Sequence, residues 1–425
     1  MRKWLLLVIV ALMALPLRAQ EVEAPPVEDP YAVESAASEV PLAEIRRFVG
    51  VFNAVRDAYV DPVSDEELMH AAIKGLLLDL DPHSVYFDKE DADAFEEETS
   101  GAYGGIGVEV QPQGDGTILV VAPIDDTPAA RAGLKSGDLI VAIDGKPMQP
   151  GEDGQGTLRG KPGSEVTLTI AREGTDEPFD VQIVRETIRI TSVRGRMLEP
   201  GYGYIRIAAF QADTAADFER VLEGLQKESG GLKGLVLDLR SNPGGLLVSA
   251  VQIADDLLRK GDIVSTRGRI ALSDTLFGST PGDRLNDAPL VLVVDAGTAS
   301  AAEVLAGALR DNGRARIVGS RTFGKGSVQT LLPLDNGDSV KLTTARYYTP
   351  SGKSIQALGI MPDVVLHPEE EGAAHPAEVT EATLPGHLQA EAEAKAEAVD
   401  QPGEVLEGRG PIDAALAELK KMQRR

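Results

Sequence analysis

Two short runs limit the folds open to this chain more than any other feature. Gly234 to Arg240 (G-L-V-L-D-L-R) and Pro289 to Val294 (P-L-V-L-V-V) are apolar at consecutive positions, without the alternation of a strand that has one wet face. Strands of that kind are covered on both sides, as in parallel sheets flanked by helices. Each run leads into a loop of small residues, Ser241-Asn242-Pro243-Gly244-Gly245 and Asp295 to Ser300, and then into a helix pattern, Leu247 to Arg259 and Val304 to Arg310. Two parallel strands whose loops leave from the same edge bring those loops to one crevice, where open α/β sheets place their sites. The repeat predicts that Gly244 and Gly245 approach Ser300.

Ser300 is then a hydroxyl at a helix N-terminus, where free backbone N–H groups favour developing negative charge. The plain alternative is an N-capping serine, so its meaning rests on its partners. The 425-residue chain has no cysteine, which excludes disulfides, thiolate zinc sites and a cysteine nucleophile. Its histidines are His70, His83, His367, His375 and His387, so none lies between Ser84 and Leu366. A serine nucleophile there needs another base, unless His83 folds back; a hydrogen-bonding role in its loop is the simpler reading of His83. Lys325, in T-F-G-K-G-S-V-Q (Thr322 to Gln329), is chemically adequate if burial lowers its pKa by about three units. Gln329 follows four residues later, on the same face of an extended strand, with an amide oxygen suited to orient the amine.

Two decoys are set aside. Gly319 to Lys325 imitates the start of a phosphate-binding P-loop, but Gly326 stands where Ser or Thr is needed and strand-like residues follow. The net charge of −25 argues against nucleic-acid partners, which require clustered Lys and Arg. No cofactor or metal is expected.

Read in order, the chain opens with Met-Arg-Lys, an apolar run from Trp4 to Leu17 and a small residue at Ala19, the pattern of a signal peptide over 1–19. That implies export to the periplasm or an equivalent compartment, with an uncleaved membrane anchor as the alternative. A disordered leader (20–40) precedes an N-terminal helical region (41–98), with helices at Pro41 to Tyr59 and Asp65 to Leu78 and Ser64 capping the second. Residues 99–187 change to short strands and glycine turns. Their G-G-I-G-V (Gly104 to Val108) and P-A-A-R-A-G-L-K-S-G-D-L-I-V-A-I-D-G (Pro128 to Gly145) resemble a bacterial PDZ domain. That resemblance implies capture of a peptide C-terminus, with Gly105, Ile106, Gly107 and Val108 as the carboxylate loop. A core over 188–366 follows, then an acidic low-complexity segment (367–410) expected to be disordered, and a C-terminal helix (411–425) that docks on a partner subunit or frays.

S-N-P-G-G (Ser241 to Gly245), T-A-S-A-A-E-V-L-A-G-A-L-R-D-N-G-R-A (Thr298 to Ala315) and T-F-G-K-G-S-V-Q together resemble the carboxyl-terminal processing proteases, the S41 family of serine peptidases. L-D-P-H-S-V-Y (Leu80 to Tyr86) and T-T-A-R-Y-Y-T-P-S-G-K-S-I-Q (Thr343 to Gln356) add to it. The resemblance implies a crotonase/ClpP-like α/β protease core of mixed sheet with an inserted PDZ domain and an N-terminal helical region. It implies Ser300 as nucleophile, Lys325 as general base and Gln329 as its orienter, with an oxyanion hole from the N–H of Ala301 and of Gly244 or Gly245. Ala302 replaces the family's usual second serine. Arg159, in L-R-G-K-P-G, resembles a regulatory residue at the PDZ boundary. The expected partners are protein substrates with unstructured C-termini, a second copy of the chain through the terminal helices (a homo-oligomer), and an adaptor protein as in some relatives. A non-catalytic PDZ adaptor is the alternative function; crotonase-like acyl-CoA chemistry fits poorly with export and a PDZ insertion.

Overall fold

A computed structural model describes residues 41–148, 154–270, 273–367, 379–391, 404–407 and 410–423. The expected signal peptide and leader, residues 1–40, lie outside the described residues. The chain clusters into two compact units, divided between Met69 and His70. In the first, the helix Leu42–Ala58 has no buried residue and carries Leu42, Ile45, Phe48 and Val49 in the open. The helix Asp65–Leu78 begins on a reciprocal cap. Ser64 N–H donates to Glu67 Oε2 at 2.9 Å, and Glu67 N–H donates back to Ser64 Oγ at 3.2 Å.

The second unit is built on the two apolar runs. Strands Gly234–Asp238 and Leu290–Val294 are buried at every position. They lie parallel and adjacent, with Leu235 opposite Leu290 and Asp238 opposite Val293. Among the described residues they are the centre of a seven-stranded sheet ordered Val193–Glu199, Tyr202–Ile207, Gly234–Asp238, Leu290–Val294, Ala315–Gly319, Val364–His367, Glu404–Glu407. Only the first pairing is antiparallel, so the sheet is mixed. Leu235, Leu237, Leu290 and Leu292 face a core shared with Phe218, Leu222, Ile253, Leu257, Leu305 and Leu309 of the helices Thr214–Ser229, Leu247–Leu257 and Ala301–Asp311. Val236, Val291 and Val293 face the other way, onto Ala414, Ala415 and Leu419 of the helix Pro411–Met422. The full apolarity of both runs thus has its cause in helices on both sides.

That last contact revises two expectations. The C-terminal helix, expected to reach a partner or fray, spends its apolar face on its own sheet, because that face of the sheet has no other cover in the described residues. The acidic segment 367–410, expected to be disordered, is partly folded: Glu404–Glu407 pairs in parallel with Val364–His367, and Glu381 is fully buried. Composition misled because Glu381 has partners far away in sequence: His83 Nε2 at 2.8 Å and Gln356 Nε2, which donates to it at 2.8 Å.

A second, antiparallel sheet is centred on Ser339–Tyr348, which pairs with Val85–Phe87, Asp262–Gly268 and Ser327–Pro333. The PDZ segment is a separate antiparallel sheet of Val108–Pro112, Ile118–Pro123, Leu139–Ile143, Glu165–Ala171 and Phe179–Val184, with its own core around Ile118, Ile140, Leu168 and Ile170. Its flanking strands Ala102–Gly105 and Glu186–Arg189 pair with each other, so the insertion enters and leaves the core at one place. The helix Lys89–Ser100 closes the expected helical region, and Asp88 caps it by accepting from Asp91 N–H at 2.9 Å. No described helix is long and apolar enough to cross a membrane.

Leu419→Ala removes the largest side chain the C-terminal helix buries in the sheet and is expected to cost about 2–4 kcal/mol. Thermal unfolding should show a lowered melting temperature; an unchanged one would mean that the helix packs elsewhere.

Candidate active site

The strand Leu290–Val294 ends at a loop held by hydrogen bonds to its neighbours. Thr298 Oγ1 donates to the Leu239 carbonyl at 2.8 Å, Ala299 N–H donates to the Asn242 carbonyl at 2.9 Å, and Phe323 N–H donates to the Thr298 carbonyl at 3.0 Å. Ser300 follows with φ of +54°, a backbone conformation that L residues rarely adopt and that costs about 1–3 kcal/mol. It sits 8% exposed at the start of the helix Ala301–Asp311.

The Ser241 to Gly245 loop lies directly against it. A Cβ on Gly244 would come within 2.8 Å of the Ser300 Cβ, so glycine is what allows the approach. The Gly244 N–H already donates to Asn242 Oδ1 at 2.9 Å, while the Asn242 amide itself is anchored on the Ile207 carbonyl at 2.9 Å. Of the two glycines expected to offer an N–H to an oxyanion, Gly244 is therefore engaged. The N–H groups of Gly245 and Ala301 form no hydrogen bond among the described residues.

Glu303, one turn into the helix, joins this loop to the Thr322–Gly326 loop. It is fully buried, and all its partners donate. They are Ser300 N–H at 2.9 Å, Thr322 Oγ1 at 2.5 Å, Gly324 N–H at 2.8 Å and Lys325 N–H at 2.9 Å. Burial pushes its carboxyl up to about 7, and these four donors oppose the shift by favouring the ionised form.

Lys325 follows in the same loop, and burial is the main reason its pKa is pushed down to about 8. Lys341 lowers it further, while Glu381, Asp81 and Glu303 oppose the shift. Gly326 N–H donates to Gln356 Oε1 at 2.9 Å and Gly326 C=O accepts from Tyr347 N–H at 2.8 Å, which fixes the loop from behind. The Tyr347 phenol is raised to about 12 by burial, a shift that the Ser300 side chain opposes.

Gln329 is less simply placed than its spacing suggested. Lys325 lies in the loop before the strand Ser327–Pro333 and so outside its alternation, while Gln329 shares a face with Ser327. Gln329 Nε2 donates to Ser327 Oγ at 3.0 Å and to Thr343 Oγ1 at 3.2 Å. Among the described residues no hydrogen bond links the side chains of Ser300, Lys325 and Gln329 to one another.

In the PDZ segment, a groove of ≈ 240 Å³ is lined by Tyr103, Ile106, Gly107, Val108, Leu158 and Arg159 among others. The Ile106 and Gly107 N–H groups form no hydrogen bond among the described residues, and Gly107 takes φ of +76°. Gly105 lies one residue earlier, at the end of the strand Ala102–Gly105. Arg159 stacks over Tyr103 at 4.8 Å and pairs with Glu97 at 3.1 Å, linking the groove's rim to the helix that precedes the domain. Sequence reasoning missed Glu303, Tyr347 and the partners of Gln329. Only Glu303 had a local signal, the serine-to-glutamate spacing of a capping box.

The fold is that of a serine peptidase carrying an inserted PDZ domain. Peptidase family S41 matches residues 201–366, the PDZ domain matches 104–183, and the Activating protease CtpB N-terminal domain matches 16–91. The chain is 44% identical to the carboxy-terminal-processing protease of Bartonella bacilliformis, over 82% of each chain. It is 35% identical to the carboxy-terminal processing protease CtpB of Bacillus subtilis, over 78% of this chain and 69% of that one. Among solved structures it is similar to a photosystem II D1 C-terminal processing protease, at 32% identity, 76% of this chain, 93% of that one and a TM-score of 0.44. The chain belongs to the carboxy-terminal processing proteases of peptidase family S41.

Since burial holds Lys325 below its ordinary value, the lysine costs stability on the order of 3 kcal/mol at pH 7. The cost is fully present below about pH 8 and fades as pH rises towards the pKa of the unfolded chain. Lys325→Met is expected to melt higher than wild type at pH 7, with a smaller gap at pH 9.5. A lower melting temperature at pH 7 would show that the lysine is held as a well-paired cation instead.

Proposed function

We propose that the protein is an exported endopeptidase that captures unstructured protein C-termini in its PDZ groove and cleaves them through an acyl-enzyme on Ser300. The observation that carries this reading is Glu303, which binds the Ser300 backbone and the Lys325 backbone through one carboxylate. A helix cap alone has no use for the second attachment.

In this reading neutral Lys325 takes the Ser300 hydroxyl proton as Oγ attacks the scissile carbonyl. The N–H groups of Ala301 and Gly245 receive the oxyanion, being the ones without partners. Collapse breaks the C–N bond, and the Lys325 ammonium returns its proton to the leaving amine. Water then attacks the Ser300 ester with Lys325 again accepting the proton, and the ammonium hands it to Ser300 Oγ as the acyl C–O bond breaks, releasing the acid product and free serine. The Gln329 amide oxygen orients the amine. Because the three side chains are not in mutual hydrogen-bond contact, the Lys325 side chain turns onto Ser300 when substrate binds, while the backbone of both loops stays on Glu303. The apolar start from Trp4 to Leu17 supports export.

Ser300→Ala and Lys325→Ala are each expected to lower kcat on a denatured protein substrate by about 10⁴-fold or more. Wild-type kcat should rise with pH through an apparent pKa of about 8 as Lys325 loses its proton. Full activity in either variant would remove the mechanism.

For the groove, the free N–H groups of Ile106 and Gly107 suit a terminal carboxylate. Amidating the C-terminus of a peptide substrate should raise KM about tenfold or more. Equal KM for the acid and amide forms would mean that the groove does not read the terminus.

A further inference from the structure

The L-D-P-H-S motif is not explained by the chemistry above. Its aspartate is buried beneath the strand that carries Gln329: Asp81 is 3% exposed, and its carboxylate accepts every hydrogen bond it makes. Oδ1 takes His83 N–H at 2.8 Å, Ser84 N–H at 3.0 Å and the Thr343 hydroxyl at 3.1 Å; Oδ2 takes the Ser84 hydroxyl at 2.7 Å. Thr343 in turn is one of the two acceptors of the Gln329 amide nitrogen.

We propose that Asp81 is a positioning residue for the reaction, acting through the Thr343 hydroxyl to set which end of the Gln329 amide faces Lys325. The inference rests on the Ser300/Lys325/Gln329 reading. Proton counting carries it. A carboxylate can only accept, so both hydroxyls that face Asp81 donate to it. Thr343 has one proton and gives it to Asp81, so towards Gln329 it offers only a lone pair. The amide must therefore present its NH₂ to Thr343, and its second N–H is taken by Ser327 Oγ. Both donors are spent, and the carbonyl end is the one left for an amine N–H.

Without the carboxylate, the Thr343 proton is free to donate to Gln329, and the amide gains a second orientation of similar energy. In that orientation its NH₂ faces Lys325, where a donor cannot orient a lone pair towards Ser300. The N-terminal motif thus reaches the base through two side chains, although it lies 259 residues from Thr343 when counted from Ser84.

The test is steady-state kinetics on full-length variants. Asp81→Ala and Thr343→Val are expected to lower kcat about ten- to hundredfold with KM within about twofold, since they misplace the base without touching the peptide groove. Thr343→Ser keeps the hydroxyl and should retain wild-type kcat. In a Gln329→Ala background, Asp81→Ala and Thr343→Val should cost nothing more, because the residue they act through is gone. If Asp81→Ala fails to fold, the Thr343→Val and Thr343→Ser pair decides. Equal kcat for Thr343→Val and wild type, equal losses for Thr343→Ser and Thr343→Val, or undiminished losses in the Gln329→Ala background would each overturn the proposal. A fully active Gln329→Ala overturns it too. Ser300→Ala then separates the two failures: if it is dead the peptidase reading stands without this relay, and if it is active both fall.

Discussion

The site depends on one carboxylate. Glu303 lies in the first turn of a helix with no cation bonded to it among the described residues, and the four groups that satisfy it come from Ser300 and from Thr322 to Lys325, 22 residues further on (322 − 300). Burying an unpaired charge is expensive, and four converging donors are what offset it. Because each donor is needed, neither loop can shift without stranding the carboxylate. Ser300 keeps its unfavourable positive φ in this setting, with its own N–H tied to the same group.

The lysine side of the site follows the opposite logic. Lys325 is desolvated, which lowers its pKa and is destabilising, so the surrounding structure must supply the rigidity that makes it tolerable. That comes from the sheet beneath, whose central strands are buried at every position, and from the Gln356 and Tyr347 contacts that grip Gly326. The peptide groove is coupled to this frame at two places: the paired strands Ala102–Gly105 and Glu186–Arg189, and the Arg159–Glu97 ion pair at the groove's rim.

Much of this was legible in the chain. Unbroken apolarity marked Gly234–Asp238 and Leu290–Val294 as doubly covered strands, and the lack of histidine across the core directed attention to Lys325. The resemblance to a P-loop was correctly set aside, because the strand Ser327–Pro333 follows where a helix would be needed. The misreadings share a cause. Acidic composition hid the burial of Glu381, and a local apolar stripe left the docking partner of the C-terminal helix open. In each case the decisive contact is remote, and neither pattern nor propensity carries remote information.

By itself the sequence determined which residues could do chemistry and which strands had to be central, because both follow from side-chain type and local periodicity. Only the tertiary structure decided that Gly245 rather than Gly244 keeps a free N–H, that Glu303 joins the two loops, and that Asp81 stands behind Gln329. Hydrogen bonds are directional and donors are few, so which group is satisfied and which is left for a substrate is settled only when distant segments meet.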